Sequence, residues 1–187
     1  ELNGLIPGRE RIDPESGRRL IEFSIPKAVL REVLCNAFAH QDLSSEGDGI
    51  LVEIYKNRVE ITNSGKPVLD QLHFLDGGPV TKNEKIFTEM KNLGLVDGQG
   101  HGWRKIVKEL ESRSLPAPGI KVRKNSITVT LWFEKPLKLL SLDQRNWTVY
   151  LHTVLRYLLN EPANNASLRQ RLNLPESKSS TVSKLFR

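Results

Sequence analysis

"REVLCNAFAH", Arg31 to His40, is the stretch on which the fold turns. Apolar residues at Leu30, Val33, Leu34, Ala37 and Phe38 recur with helical spacing and predict an amphipathic helix. Pro26 stands just ahead of it, where a first-turn proline belongs. Beside the apolar stripe, Glu32, Asn36 and His40 recur at every fourth position. Residues four apart stack on one helical face, so a polar stripe runs alongside the greasy one. Taken singly, each has an ordinary reading. Glu32 is a solvated charge, Asn36 spends its amide on a cap or a strand edge, and His40 compensates the dipole at the helix end. Cys35 reads as a small buried hydrophobe.

Outward from this helix the pattern is α/β. "GILVEIY" and "RVEIT" alternate about Lys56-Asn57 and predict a hairpin, which "NSGKP" closes as a tight turn. Val68 to Asn83 has no period and contains Gly77-Gly78-Pro79, so we expect a long loop of the kind that serves as a lid. From Glu84, the residues Ile86, Phe87, Met90 and Leu93 predict a helix that Gly94 stops. Gly98, Gly100 and Gly102 then lead into another helix, with Trp103, Ile106, Val107 and Leu110 inward and Pro116 and Pro118 closing it. "IKVRK" and "SITVTLWF" form a second hairpin turning at Lys124-Asn125. The opening, residues 1–25, is rich in Gly, Pro and Arg and reads as an extended, partly ordered lead-in. The expectation is a mixed sheet with helices on one face.

Lys135-Pro136 marks a boundary, and beyond it the pattern is helical. Trp147, Tyr150, Leu151, Val154, Leu155 and Leu158 share one helical face. Residues 165–187 then read as helix, turn and helix. Leu168 and Leu172 pack on the first, Asn173-Leu174-Pro175 turns, and Val182, Leu185 and Phe186 face inward on the second. That is a helix-turn-helix layout, a partial winged helix over 143–187 whose second helix would enter a DNA major groove. Lys178, Lys184 and Arg187 lie on or beside that helix as candidate DNA contacts, with Arg169 and Arg171 on the helix before it.

Composition bounds the rest. The 187 residues are 38% hydrophobic and 27% charged, enough for one ordinary core and a small second module. The formal net charge of +6 favours a polyanionic partner. One cysteine excludes an intrachain disulfide and fits a reducing, cytoplasmic compartment. No apolar run is long enough to span a membrane. The chain opens at Glu1 rather than Met, so we expect a piece of a longer protein. His40, His73, His101 and His152 lack zinc-ligand spacing with each other or with Cys35. The glycine triplet is not a Walker loop, since no Gly-Lys-Ser/Thr ends it, and it does not follow a strand as a dinucleotide fingerprint requires.

Combined, these parts carry a resemblance. A helix with Glu-x-x-x-Asn, a strand-ending Asn63-Ser64-Gly65 turn and Gly98-x-Gly100-x-Gly102 resemble the nucleotide site of the gyrase, heat-shock chaperone, histidine kinase and MutL ATPase superfamily. The likeness is greatest to the ATPase-like domain of RecG-related helicases and Schlafen/AlbA-type regulators, over about Pro26 to Phe133. That branch reads Arg-Glu-x-x-x-Asn-Ala-x-x-His-Arg-Asp, and "REVLCNAFAHQD" departs from it at Gln41. "Arg-Asn-Pro" appears as Thr81-Lys82-Asn83-Glu84, and the terminal Gly-x-Gly-x-x-(Arg/Lys)-Ile as "GLVDGQGHGWRKI". The domain expected is 26–136.

The resemblance implies the following roles. Asn36 would ligate magnesium, a hard cation that takes oxygen donors and keeps several waters. Glu32 would orient or deprotonate the attacking water. Asn63 stands where the superfamily usually has the aspartate that accepts the adenine amino group, and an amide oxygen accepts the same bond without the charge. Gly65 would make room for the base, Gly98, Gly100 and Gly102 would line the phosphates beneath the 68–83 lid, and Lys82 would reach a phosphate as a point charge. ATP and magnesium are thus the implied cofactors, and nucleotide and DNA the implied partners, with a homodimer reading paired half-sites. Three functions compete: a nucleotide-responsive DNA-binding regulator, a slow ATP hydrolase acting on DNA, and a scaffold whose nucleotide site has decayed. The absence of a Walker loop argues against unwinding itself.

Overall fold

The computed structural model of the protein describes residues 5–44, 49–78, 80–134 and 137–186, the side chains of Leu137 and Phe186 excepted. The features read at Pro79, Lys135-Pro136, Arg187 and the Phe186 side chain lie outside the described residues.

The fold is an α/β sandwich. Strands β3 (Leu51–Ile54), β4 (Arg58–Ser64), β5 (Gly119–Val122) and β6 (Ser126–Trp132) form one sheet in the order β3-β4-β6-β5. Every pairing in it is antiparallel, where a mixed sheet was expected. Two of the three pairings are hairpins, and the chain returns through the helices to lay β6 beside β4 with the opposite direction. Strand alternation gives the sheet one apolar face. Val59 and Ile61 of β4 and Ile127, Val129 and Leu131 of β6 are buried on it.

Helices α1 (Lys27–His40) and α3 (Gly102–Ser112) cover that face. Val29, Leu30, Val33 and Ala37 of α1 meet Ile106 and Leu110 of α3 over the sheet. Phe38, counted with the stripe, is 49% exposed. Ala37 takes the inward position, and one residue further turns the side chain about 100° away. Helix α2 (Glu84–Asn92) packs Met90 against Cys35 and Ala39 of α1. Leu93 follows its last residue and is 73% exposed, with Gly94 in the left-handed region at φ +69°.

The lead-in is more ordered than its composition suggested. Strands β1 (Gly8–Ile12) and β2 (Arg19–Phe23) pair antiparallel, and Asp13 Oδ1 shapes the turn by accepting from the N–H groups of Glu15 (2.9 Å) and Ser16 (3.3 Å). The hairpin is anchored through Ile6, Phe23 and Ile25, which pack in the core at its base.

Beyond residue 137, α4 (Leu142–Leu158) opens on a Ser141–Gln144 capping box and α5 (Asn165–Arg171) on an Asn164–Ser167 one. A five-residue α6 (Ser179–Ser183) follows. A second core forms where Leu151 and Leu155 of α4 meet Val107, Ala117 and Leu75, and Trp147 Nε1 donates to Pro118 O at 2.9 Å. Leu168 and Val182 are fully buried, while Lys178 and Lys184 are exposed. Arg171, placed by the sequence on the helix before the candidate DNA-contacting one, is turned into the protein. It is 5% exposed, and its Nε lies 3.2 Å from Glu111 of α3, whose other oxygen meets His152 at 3.0 Å. Among the described residues, no helix is long and apolar enough to cross a membrane.

Candidate functional site

A cavity of about 170 Å³ opens between α1, the inner sheet face and the start of α3. An ordered water needs only about 10–15 Å³ by this measure, so the space is of ligand size. Its walls bring together Glu32, Asn36, Asn63, Gly98, Gly100 and Gly102, residues drawn from three separate parts of the sequence.

Asn63 follows Val59 and Ile61 on β4, in the register that points into the apolar layer, and is 5% exposed. A carboxamide there interrupts a row of aliphatic side chains, which costs burial energy unless it is used. Its Nδ2 donates to Ser64 O at 3.0 Å. Ile61, Ile127 and Val129 surround it as the cavity floor, and Val33 and Ala37 supply the wall from α1. This end is an apolar slot with one amide in it, a shape suited to a flat heteroaromatic ring.

The other end is polar. Gly102 opens α3 against α1, so close that a Cβ on it would collide with Glu32 Oε1 and sit 3.4 Å from Asn36 Nδ2. Gly98 and Gly100 hold left-handed conformations at φ +73° and +72°, which bend the chain into the cavity ahead of the helix. His101, the N-cap of α3, makes no side-chain cap bond, and no acidic residue occupies the first turn. The first N–H groups of α3 are therefore without a capping side chain at the cavity wall. Asn36 Nδ2 is buried there with no hydrogen-bond partner among the described residues, so the amide nitrogen serves neither a cap nor a strand edge. A buried donor left so is expensive, and an acceptor such as a phosphate oxygen would satisfy it.

Charge follows burial. Desolvation pushes the Glu32 carboxyl above its ordinary value, opposed by the Lys105 ammonium. Burial, then the nearby Lys82, pushes the His40 imidazole down, so it is kept neutral. Asp97, which the motif reading passed over, lines the cavity and pairs with Lys105 of α3. The Lys105 bond, then the N–H of Gln99, holds its carboxyl low and charged.

Gly65 and Lys82 are placed differently. Neither lines the cavity. Gly65 has φ +109°, and a Cβ there would lie 2.9 Å from Lys82 Nζ and 3.3 Å from His40 O. It makes room for the end of α1 and the Lys82 side chain. The segment around Lys82 closes α1: Thr81 Oγ1 (2.8 Å) and the N–H groups of Lys82 (3.2 Å) and Asn83 (3.1 Å) all donate to Ala39 O. Asn83 Nδ2 donates to Phe38 O (3.0 Å) and Gln41 O (2.8 Å). These bonds satisfy the carbonyls that a helix C-terminus leaves open. Gln41 ties the same corner to β4, donating through Nε2 to Ser64 Oγ at 2.8 Å and accepting from Ser64 N–H at 3.2 Å.

The loop from Val68 lies over the cavity with Val68, Leu69, Phe74, Gly77 and Gly78 on its wall. Phe74 stacks on Trp103, centroids 5.0 Å apart, so Trp103 serves the cavity as well as the core. Among the described residues, no group of three His, Cys, Asp or Glu could hold a metal on its own.

Residues 47–131 match the sequence profile of the family described as "Putative ATP-dependent DNA helicase recG C-terminal". No curated protein matches the chain. Among solved structures, the chain is similar to the DIP2311 protein from Corynebacterium diphtheriae, with a TM-score of 0.60 at 19% identity, over 98% of this chain and 39% of that one. The chain thus spans well under half the length of that relative, and the likeness is one of fold. The profile match supports a RecG-related, ATPase-like domain over residues 47–131, which takes in Asn63 and the glycine loop while α1, with Glu32 and Asn36, precedes it.

Proposed function

We propose that this chain binds ATP with magnesium in the cavity between α1, β4 and α3, and belongs to a DNA-associated regulator. The observation that carries the nucleotide reading is the Asn36 side chain on the cavity wall, its buried Nδ2 donor without a partner, beside the uncapped start of α3. The apolar slot takes the base, with the Asn63 carboxamide facing its exocyclic amine. The N–H groups at the start of α3 and the Gly98–Gly102 backbone receive the phosphates. Magnesium fits the donor set in the mode it usually adopts, one or two protein oxygens completed by phosphates and water, with the Asn36 amide oxygen as the protein's contribution. Bound there, the ion would neutralise phosphate charge.

The remaining chemistry is the chain's own. Glu32 sits one turn before Asn36, with burial raising its affinity for a proton. A carboxylate so tuned can take a proton from an attacking water at its Oε atoms, which is the general-base role. Any hydrolysis through Glu32 should be slow. In the C-terminal module, Lys178 and Lys184 offer cations to phosphate, and neutralised phosphates release counterions.

Calorimetric titration with ATP, with and without magnesium, tests the nucleotide reading. The unaltered chain should bind only when magnesium is present. Asn36→Ala should keep the fold, with a slightly better helix propensity, and lose that binding. Unchanged affinity in the variant would exclude the magnesium role, and no binding to either would leave a scaffold.

A further inference from the structure

We propose that helix α4 clamps the 68–78 loop over the cavity, so that the packing of the C-terminal helical module sets access to the nucleotide site. The inference rests on the nucleotide reading above only in what it says enters the cavity; the clamp itself is a matter of contacts.

The loop is fastened at its middle by residues of α3 and α4. Tyr150 Oη of α4 donates to Leu72 O at 2.5 Å. Arg104 Nε of α3 donates to Leu75 O at 2.6 Å. Leu75 itself is 2% exposed, sunk among Val107, Ala117, Leu151 and Leu155. Its neighbour Phe74 lines the cavity and stacks on Trp103, and it also packs against this second cluster. Of two consecutive loop residues, Phe74 thus reaches the cavity while Leu75 is held under α4. A shift of one moves the other, because a single peptide unit joins their Cα atoms.

Burial, and then the loop's own Asp76 and Asp70, push the Tyr150 phenol above its ordinary value, which keeps it a donor to Leu72 O at physiological pH. Helix α3 makes a second connection. Its first residue, Gly102, touches Glu32 and Asn36, and near its other end Glu111 meets His152 of α4 and Arg171 of α5. The cavity and the C-terminal helices thus share both a loop and a helix. Ligand that prefers one arrangement of the loop must, by linkage, bias the helices, and the effect is reciprocal.

The test is amide hydrogen exchange on the whole chain, unaltered and as Tyr150→Phe, each with and without saturating ATP and magnesium, alongside calorimetry. Tyr150→Phe deletes one hydroxyl and leaves the ring packed on Trp147. We expect exchange at 70–76 to rise several-fold in the variant while β4 and β6 stay unchanged, ATP affinity to shift several-fold, and ATP to slow exchange in α5 and α6, which do not line the cavity. Unchanged loop exchange in Tyr150→Phe would overturn the clamp. Equal ATP affinity in both proteins with α5 and α6 unmoved would overturn the control of access while leaving nucleotide binding intact. Failure of the unaltered chain to bind ATP would defeat the nucleotide reading separately, and loop exchange would still decide the clamp.

Discussion

Residue by residue, the polar stripe on α1 resolves into different jobs. Asn36 and Glu32 face Gly102 and the cavity, while His40, kept neutral by burial, lines the wall near the helix end. Glu32 carries a stability cost that its proposed chemistry explains. A carboxyl whose folded pKa is raised holds its proton more tightly in the native state than in the unfolded chain. The stability this lends is whole below the unfolded value, about 4.3, and is lost as the pH rises through the folded one. Glu32→Gln keeps the shape without the charge. It should therefore unfold at a higher temperature than the unaltered chain at pH 7.5 and at nearly the same temperature at pH 4, as followed by circular dichroism. A gain that persists at pH 4, or a loss at pH 7.5, would contradict buried ionisation. The spacing of Glu32 and Asn36 was legible in the sequence because helical periodicity is local. The parts of Gly65 and Lys82 were not, since they depend on where the end of α1 meets the end of β4, a contact between distant segments.

At the scale of elements, both sheet hairpins and helices α1 to α4 were readable, because each has a buried face that imposes a period. The β1–β2 hairpin escaped for the converse reason: nine of its ten strand residues are exposed, so nothing forces an apolar alternation. Its signal was the Asp13-Pro14-Glu15-Ser16-Gly17 turn. The lid was read as a loop, but its two anchorages were not, because they are made by single side chains and backbone groups. Asn83, past the 68–78 loop, is bound in the same way. It is the N-cap of α2, yet its side chain is spent on the C-terminal carbonyls of α1. Asn83→Ala should cost about 1–2 kcal/mol, two net hydrogen bonds, measured by urea denaturation. A cost near zero would mean that water replaces the amide and that the α1–α2 corner is not held by it.

Across the whole molecule, two cores meet along α3, one under the sheet and one under α4. The C-terminal module is joined to the first by the buried His152 and Arg171 meeting the half-buried Glu111, a group which no local pattern announces, since the three residues come from three helices. Arg171→Ala leaves the half-buried Glu111 with His152 alone and should cost about 3 kcal/mol, toward the lower end of a broken buried pair. It should not alter the salt dependence of DNA binding. Lys178→Ala with Lys184→Ala should do the reverse, leaving stability alone and flattening the salt slope by about 0.9 per lost phosphate contact; a gel shift across salt concentrations separates the two. The position of the nucleotide's metal tests the site most directly. Manganese replaces magnesium beside ATP and broadens the resonances of nearby nuclei, so adding Mn–ATP to isotopically labelled protein locates the metal directly. Signals of Glu32, Asn36 and the Gly98–Gly102 backbone should broaden first, with those of β1, β2 and α6 unaffected. Broadening centred on any other part of the molecule, or none at saturating Mn–ATP, would contradict the proposed site.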